Sequence, residues 1–180
     1  MRLKECQSAP IFEVEDIFKN PITLKDYTGK KLMVSFYRYA SCPLCNLRVH
    51  NLIKNYPSLH GEKGLDMLAF FQSPKESILE YVGKQDAPFS IIADPKREVY
   101  KLYGVESSIK KAFKGPEVNS LLTEAMNEGF KPGKMEGERA LIPADFLIGP
   151  DLTIKKAFYG EHAGDHLPIE DIELFLNSVK

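Results

Sequence analysis

The sequence predicts an α/β protein with a central mixed β-sheet and helices on both faces. Between residues 31 and 71 an apolar strand, a helix and a second apolar strand follow one another, which indicates a parallel pair with a right-handed crossover. Between residues 144 and 179 two strands joined by a short turn precede an amphipathic helix, which indicates an antiparallel hairpin. We expect one domain, residues 1–180, because this length can bury a sizeable core.

The composition is that of an ordinary globular chain. Hydrophobic residues make up 43% and charged residues 27%, and the formal net charge of -1 offers no basic surface for nucleic acid. No apolar run approaches the roughly 18 residues that span a bilayer, and the first ten residues lack the apolar core of a secretory signal. Three cysteines are too few for a disulfide scaffold. We therefore expect a cytoplasmic protein without a membrane or nucleic-acid partner.

The first elements are a β-hairpin extension and a buried strand. Residues 11–14 are expected to pair with residues 21–24, because Asn20-Pro21 is a turn signal. Residues 31–37 are apolar on both faces, which is typical of a strand at the centre of a sheet. The helix that follows is expected to end before Pro57, which cannot continue it.

The middle of the chain continues the alternation of strands and helices. Residues 64–71 and 89–94 are predicted strands because they are short apolar runs. A helix opens at Pro74, with Ser73 as its expected N-cap. A shorter helix follows the third strand and is expected to bury Val99, Leu102 and Tyr103 and to end at Gly104.

Residues 105–138 form a predicted helical insert before the last unit of the chain. Two helices are expected here, broken at Gly115-Pro116, followed by a glycine-rich loop over residues 129–138. The insert is either a surface excursion, or a lid or dimer surface, and the sequence leaves these alternatives open.

The last unit is a predicted hairpin followed by a helix. Residues 144–149 and 153–159 are the strands, and residues 168–179 form the helix. Its apolar face is expected to contain four residues: Ile169, Ile172, Leu176 and Val179.

Two thiols lie where the first strong strand meets its helix. Pro43 suits the first helical position, where its missing N–H costs nothing, so Cys42 is the expected N-cap. A cysteine there faces free N–H groups and the positive end of the helix dipole, which stabilise a thiolate. Cys45 lies one turn further along, close enough to attack a mixed disulfide on Cys42.

The cysteine pair has two other interpretations. Half of a zinc site is the first, but Cys6 is the only other thiol and the four histidines form no ligand pair at the usual spacing. Two inert, buried cysteines are the second. A redox pair is favoured because a strand–helix junction is where such chemistry occurs. We expect no metal and no cofactor.

A Cys-x-x-Cys motif in a βαβ unit, followed by a ββα unit, is the thioredoxin arrangement. In that fold a proline precedes the first strand of the later pair, and here Pro143 has that position. We expect a cis bond between Ile142 and Pro143, with a trans strand-entry proline as the alternative. Ile142 would then lie against the thiols. We expect Arg38, Tyr39, Ile142 and Pro143 to line a substrate groove.

Several motifs together resemble those of the redoxin family, and more closely its AhpC/TSA-type, peroxiredoxin-like members. The resemblance covers nearly the whole chain. It implies a thioredoxin fold with an N-terminal hairpin, thiol redox chemistry, and hydroperoxides or protein disulfides as substrates. The motifs are Ala9-Pro10-x-Phe12, Thr23-Leu24-x-x-Tyr27-x-Gly29-Lys30, Phe36-Tyr37-Arg38, Cys42-Pro43-x-Cys45, Phe89-x-x-x-x-Asp94 and Pro143-Ala144-x-Phe146.

The chain departs from the peroxiredoxin pattern Pro-x-x-x-Thr-x-x-Cys. With the aromatic pair aligned, Arg38 has the proline position, Cys42 the threonine position and Cys45 the peroxidatic position. The family's catalytic arginine falls near Pro143. These departures favour disulfide exchange over peroxide reduction. Arg38 either supplies a cation to a thiolate or is a solvated charge at the strand end.

Three functions are compatible with these residues. The first is a thiol–disulfide oxidoreductase in which Cys42 attacks and Cys45 resolves. The second is a peroxidase that forms a cysteine sulfenic acid. The third is a non-catalytic binding module. The expected partners are a disulfide or hydroperoxide substrate and a thiol electron donor such as thioredoxin or glutathione, and a homodimer is left open.

The loop after the last strand contains the remaining candidates. Because that strand runs antiparallel to its neighbour, its end returns to the edge where Pro143 lies. We expect Asp165 and His166 to lie near Cys42, where a histidine could shuttle the thiol proton. The alternative is that Asp165 caps the terminal helix.

Overall fold

The computed structural model describes residues 1–178 and contains a five-stranded mixed sheet. Its strands are β3 (Lys31–Phe36), β4 (Leu65–Phe71), β5 (Ser90–Ala93), β6 (Ala144–Ile148) and β7 (Ile154–Tyr159). They lie in the order β5-β4-β3-β6-β7. The β3–β4 and β4–β5 pairs are parallel, and β3–β6 and β6–β7 are antiparallel. The mixed sheet, the parallel pair and the late hairpin are therefore confirmed.

The N-terminal extension is a separate two-stranded sheet. Its strands are β1 (Glu13–Glu15) and β2 (Pro21–Thr23), which pair antiparallel with Val14 opposite Ile22. The predicted hairpin is confirmed.

Helices cover both faces of the sheet. They are α1 (Pro43–Tyr56), α2 (Lys75–Glu80), α3 (Glu98–Leu102), α4 (Ile109–Ala112), α5 (Pro116–Asn127) and α6 (Ile169–Ser178). Side chains of α3 pack in one core cluster with alternate residues of β3, including Val34 and Phe36. Side chains of α1 and α6 pack in another with Met33 from the same strand. Because neighbouring residues of a strand point to opposite faces, β3 is buried on both sides.

Helix α1 ends at Tyr56, directly before Pro57, as predicted, and a separate π-helical segment, Pro57–Glu62, follows it. Two other local predictions are wrong. Leu102 is 49% exposed, whereas Val99 and Tyr103 are buried as predicted, because the five-residue helix α3 turns Tyr100 toward the core in place of Leu102. Ser73 does not cap α2, because its hydroxyl accepts the N–H of Ala40.

The insert contains the two helices predicted for it, α4 and α5, which are separated at Gly115. No regular element is assigned to residues 128–138. Helix α5 packs along α1, whose N-terminus carries the cysteine pair. The insert therefore lies next to the thiols, although it is far from them in sequence.

The expected apolar face of the last helix is confirmed in part. Ile172 and Leu176 are buried, together with Phe175. Val179 lies outside the described residues. Within residues 1–178, no helix is long and apolar enough to cross a membrane.

Candidate active site

Cys42 occupies the N-cap position of α1, as the sequence predicts. Its backbone is extended, with φ -70° and ψ 118°, and Pro43 is the first helical residue. The side-chain amide of Asn46 donates to the carbonyls of Ala40 and Cys42, which fixes the approach to the helix. The Cys42 sulfur is thereby held at the positive end of the helix dipole.

The environment of Cys42 stabilises its thiolate. Burial alone would raise its pKa, because Cys42 is only 1% exposed. A hydrogen bond from Cys45, the charge of Arg38 and backbone N–H groups of Cys45 and Leu44 outweigh burial and lower the pKa of Cys42 to about 6. Nη1 of Arg38 lies 3.6 Å from the sulfur. Cys42 is therefore largely ionised at neutral pH.

The pKa of Cys45 is shifted in the opposite direction. Burial, donation of its hydrogen bond to Cys42 and the nearby Cys42 charge raise the pKa of Cys45 well above that of a free thiol. The two sulfurs are in contact, yet one is the anion and the other keeps its proton. This division is the one required of an attacking thiolate and a resolving thiol.

Arg38 is a buried cation, which excludes the interpretation of a solvated charge at the strand end. It is 3% exposed, and its guanidinium lies 5.1 Å from the ring of Tyr39 and 5.6 Å from that of Phe113. Besides Cys42, it donates through Nη2 to the carbonyl of Arg139. Its Nε has no hydrogen-bond partner in the described chain.

The loop at the end of the insert, residues 130–139, covers the thiols. Ser41 donates to the carbonyl of Lys134 at 2.6 Å, directly beside Cys42. Gln72 pairs twice with the backbone of Glu138, at 2.9 and 2.8 Å. Gly137 has φ +66°, and a Cβ there would collide with the side chain of Gln72. The loop is thus fitted closely over the site, and we call it the covering loop.

A small pocket of about 130 Å³, which we call the cavity, has Cys42 in its lining. Its polar end is formed by Arg38 and Cys42, and its other walls are mostly apolar. They are Tyr39, Pro43, Leu44, Phe113, Val118, Leu122, Pro132 and Ala163. The expected groove residues Arg38 and Tyr39 therefore belong to this cavity.

The peptide bond between Ile142 and Pro143 differs from the one expected. The bond between them is trans, since residues 1–178 contain no cis peptide bond. Ile142 packs in the same core cluster as both thiols, but its N–H donates to the carbonyl of Glu106. The carbonyl of Pro143 accepts from Gly160. Hydrogen bonds within the chain thus occupy the N–H of Ile142 and the carbonyl of Pro143, and the trans proline simply begins the strand. A part for these two residues in substrate binding stays a prediction.

Asp165 and His166 do not line the cavity, contrary to expectation. The Asp165 carboxylate accepts the N–H of Glu161, so it closes its own turn and does not cap α6. Nδ1 of His166 lies 3.0 Å from Asp145. This loop contributes Ala163 to the cavity instead.

A buried polar cluster beneath α1 was missed by sequence reasoning. Asp145 stands opposite Ser35 in the β3–β6 pair and accepts its hydroxyl at 2.6 Å. It also accepts from His166 and from the N–H of Leu167. Burial alone would raise the pKa of Asp145, but the charges of His166 and Arg48 and these hydrogen bonds lower it to about 2. The sequence feature that could have indicated this cluster is Asp145 itself, a single acid inside the otherwise apolar strand β6.

Metal binding finds no support in the geometry. Among residues 1–178, no three His, Cys, Asp or Glu side chains are grouped so that they could hold an ion.

A buried thiolate, a thiol beside it and a thioredoxin-like sheet together define a thiol-dependent redox enzyme. The chain matches the model of the AhpC/TSA family over residues 6–157 and belongs to that family.

Known proteins resemble the chain in sequence and in fold. It is 27% identical to Peroxiredoxin Bcp of Escherichia coli (strain K12) over 126 residues, which cover 68% of this chain and 80% of that protein. The structure of Peroxidoxin BcpB from Mycobacterium tuberculosis superposes with a TM-score of 0.73 at 14% identity, over 99% of both chains. A thioredoxin domain of thiol-disulfide oxidoreductase BVU-2223 from Bacteroides vulgatus gives 0.58 at 18% identity, over 97% of this chain and 99% of that one. The two structures share the thioredoxin-like fold with this chain.

Proposed function

We propose that this protein is a thiol peroxidase that reduces small hydroperoxides at Cys42. The observation that carries this proposal is the placement of the Cys42 thiolate and the Arg38 guanidinium together in the lining of a small pocket of about 130 Å³. A small molecule fits such a cavity. The peroxiredoxin names of the sequence relatives support the same reaction class.

Access to the sulfur favours a small substrate over a protein disulfide. Disulfide exchange requires the attacking sulfur to reach a sulfur of the partner. Cys42 is 1% exposed and Cys45 is fully buried, and Ser41 beside Cys42 is bonded to the covering loop. A folded protein could meet Cys42 only after Ser41, Arg38 and their loop partners separated. This reverses the preference drawn from sequence.

The reaction divides into two steps with balanced electrons. The Cys42 thiolate attacks the terminal oxygen of the hydroperoxide, so that an S–O bond forms and the O–O bond breaks. The substrate gains two electrons and leaves as an alkoxide, which takes a proton to become an alcohol, while Cys42 becomes a sulfenic acid. The Cys45 thiol then condenses with it, forming the disulfide and releasing water.

Arg38 is the proposed electrostatic partner of the first step. Its Nη1 is beside the sulfur, so it holds the thiolate and can donate to a peroxide oxygen as negative charge develops. Sequence comparison leaves Pro143 at the position of the family's arginine. Arg38 would supply the cation from the strand end of β3 instead.

A thiol reductant must return two electrons to the Cys42–Cys45 disulfide after each turnover. A small thiol such as glutathione, or a dithiol protein such as thioredoxin, supplies them by exchange. The covering loop limits access for the larger donor, so we expect faster reduction by a small thiol.

Parallel assays test the proposal. The purified protein, with dithiothreitol as reductant, should consume tert-butyl hydroperoxide and lose this activity in Cys42→Ser. Its catalysis of insulin disulfide reduction should be slow by comparison. Fast insulin reduction without peroxide consumption would overturn the proposal.

Thiol–disulfide exchange is the second candidate function. It is favoured by one observation, the opposite pKa tendencies of Cys42 and Cys45, which suit an exchange pair equally well. It would require the covering loop to open, and the insulin assay measures it directly.

A further inference from the structure

We propose that the insert makes the enzyme selective for organic hydroperoxides with a compact, apolar substituent, and that Leu122 is a specificity-determining residue. This inference rests on the proposed peroxidase function. It concerns the wall of the cavity opposite the reacting sulfur, which is contributed largely by the insert. Those residues are Phe113, Val118, Leu122 and Pro132.

The cavity has one polar end and otherwise apolar walls. Arg38 and Cys42 can hold the peroxide oxygens, since they are the charged groups there. The rings of Tyr39 and Phe113 lie against the guanidinium, which separates its charge from the remainder of the cavity. A hydroperoxide bound with its oxygens at Cys42 therefore directs its substituent against Val118 and Leu122.

The volume limits the substituent. An apolar cavity of about 150 Å³ in a protein core binds benzene. The cavity here, about 130 Å³, therefore matches a branched group of four to six carbons, roughly, such as tert-butyl. Hydrogen peroxide leaves the apolar walls without a partner. A long carboxylated chain would extend beyond these walls and gain less from contact with them than a compact group does.

Contact with the apolar walls predicts a moderate preference. Small differences in apolar substituents change kcat/KM by about 10- to 200-fold. We expect tert-butyl hydroperoxide to exceed hydrogen peroxide by roughly tenfold or more in kcat/KM. Linoleic acid hydroperoxide should react more slowly than tert-butyl hydroperoxide.

Two substitutions at Leu122 and one matched control test the assignment. Leu122→Phe narrows the cavity and should lower the ratio of kcat/KM for tert-butyl hydroperoxide to that for hydrogen peroxide about fivefold or more. Leu122→Ala enlarges it and should raise the relative kcat/KM of the bulkier cumene hydroperoxide. Met126→Phe, on the same helix but 50% exposed and outside the cavity, should leave every ratio unchanged. Circular dichroism and the pH profile of Cys42 alkylation establish that each variant is folded.

The outcomes separate this inference from the proposed function. If the wild type consumes all the peroxides equally, or if the Leu122 variants keep the wild-type ratios, the selectivity is overturned while the peroxidase function stands. If no hydroperoxide is consumed at all, the proposed function itself fails.

Discussion

At the scale of single residues, the site depends on the different states of two thiols that touch. Cys42 has its pKa lowered to about 6, and Cys45 has its pKa raised, although both are buried. Position explains the difference: Cys42 meets the free N–H groups at the start of α1 and the Arg38 guanidinium, and Cys45 donates to it. From this asymmetry we predict that Cys42 reacts first and Cys45 second.

Substitution of each cysteine tests that order. After exposure to hydroperoxide, Cys45→Ser should accumulate a sulfenic acid at Cys42 that dimedone traps, because no resolving thiol remains. Cys42→Ser should yield no adduct at Cys45, whose thiol stays protonated. The control is Cys6→Ser, because Cys6 is exposed, and it should retain full activity. Mass spectrometry locates the adduct, and an adduct at Cys45 would restore the peroxidatic register suggested by the family alignment.

The contribution of Arg38 should appear in the pH dependence of Cys42 alkylation. The thiolate is the reactive form, so the rate should rise as the pH increases through about 6 and then level off. Arg38→Gln removes the adjacent cation and should move the rise upward by roughly one pH unit or more. The curve for His166→Ala should coincide with the wild type, because His166 contacts Asp145 instead. A shift in that variant would return His166 to the active site.

At the scale of elements, the candidate active site is formed jointly by the insert and by the thioredoxin-like core. Helix α5 packs along α1, and the covering loop is joined to Gln72 at the end of β4 by two hydrogen bonds to Glu138. Neither contact is local in sequence. The cavity exists only when the insert is in place, which is why its lining could not be assembled from motifs.

Gln72→Ala should loosen the covering loop. Each lost hydrogen bond contributes about 1 kcal/mol, so the loop should open more often while the sheet stays folded. We expect faster cleavage within residues 130–139 by a dilute protease and faster alkylation of Cys42 by a bulky maleimide. Asn55→Ala is the control, since Asn55 bonds within α1 to Asn51. Equal rates in wild type and Gln72→Ala would mean that this pair does not hold the loop.

At the scale of the whole molecule, the buried Asp145 cluster connects three parts of the chain. Ser35 lies on β3, Asp145 on β6, and His166 and Leu167 precede α6. The folded pKa of Asp145, about 2, is below the roughly 3.9 of an unfolded chain. Its contribution to stability is therefore complete above about pH 4 and is lost as the pH falls toward 2.

Asp145→Asn should lower the free energy of unfolding by about 3 kcal/mol at pH 7, since it leaves a buried partner without its charge. The difference from wild type should shrink as the pH falls from about 4 toward 2. Urea denaturation at several pH values measures both. Glu80→Gln, at an exposed acid at the end of α2, should not change stability by a comparable amount. If the difference in the free energy of unfolding between wild type and Asp145→Asn did not change with pH, the loss of stability would come from packing and not from the charge.

The sequence by itself determined the order of the elements, the N-cap position of Cys42 and the hairpin with β6 and β7. These depend on local properties: strand and helix periodicity, proline at a helix start, and turn residues. Tertiary structure decided how buried Cys42 is, which walls face it, and that His166 pairs with Asp145. Those features depend on residues that are distant in the chain and are brought together by the register of the sheet and by the packing of α5. Local sequence patterns do not predict such contacts. Our proposal of peroxide reduction in place of disulfide exchange has the same cause, because substrate access depends on what covers the thiols.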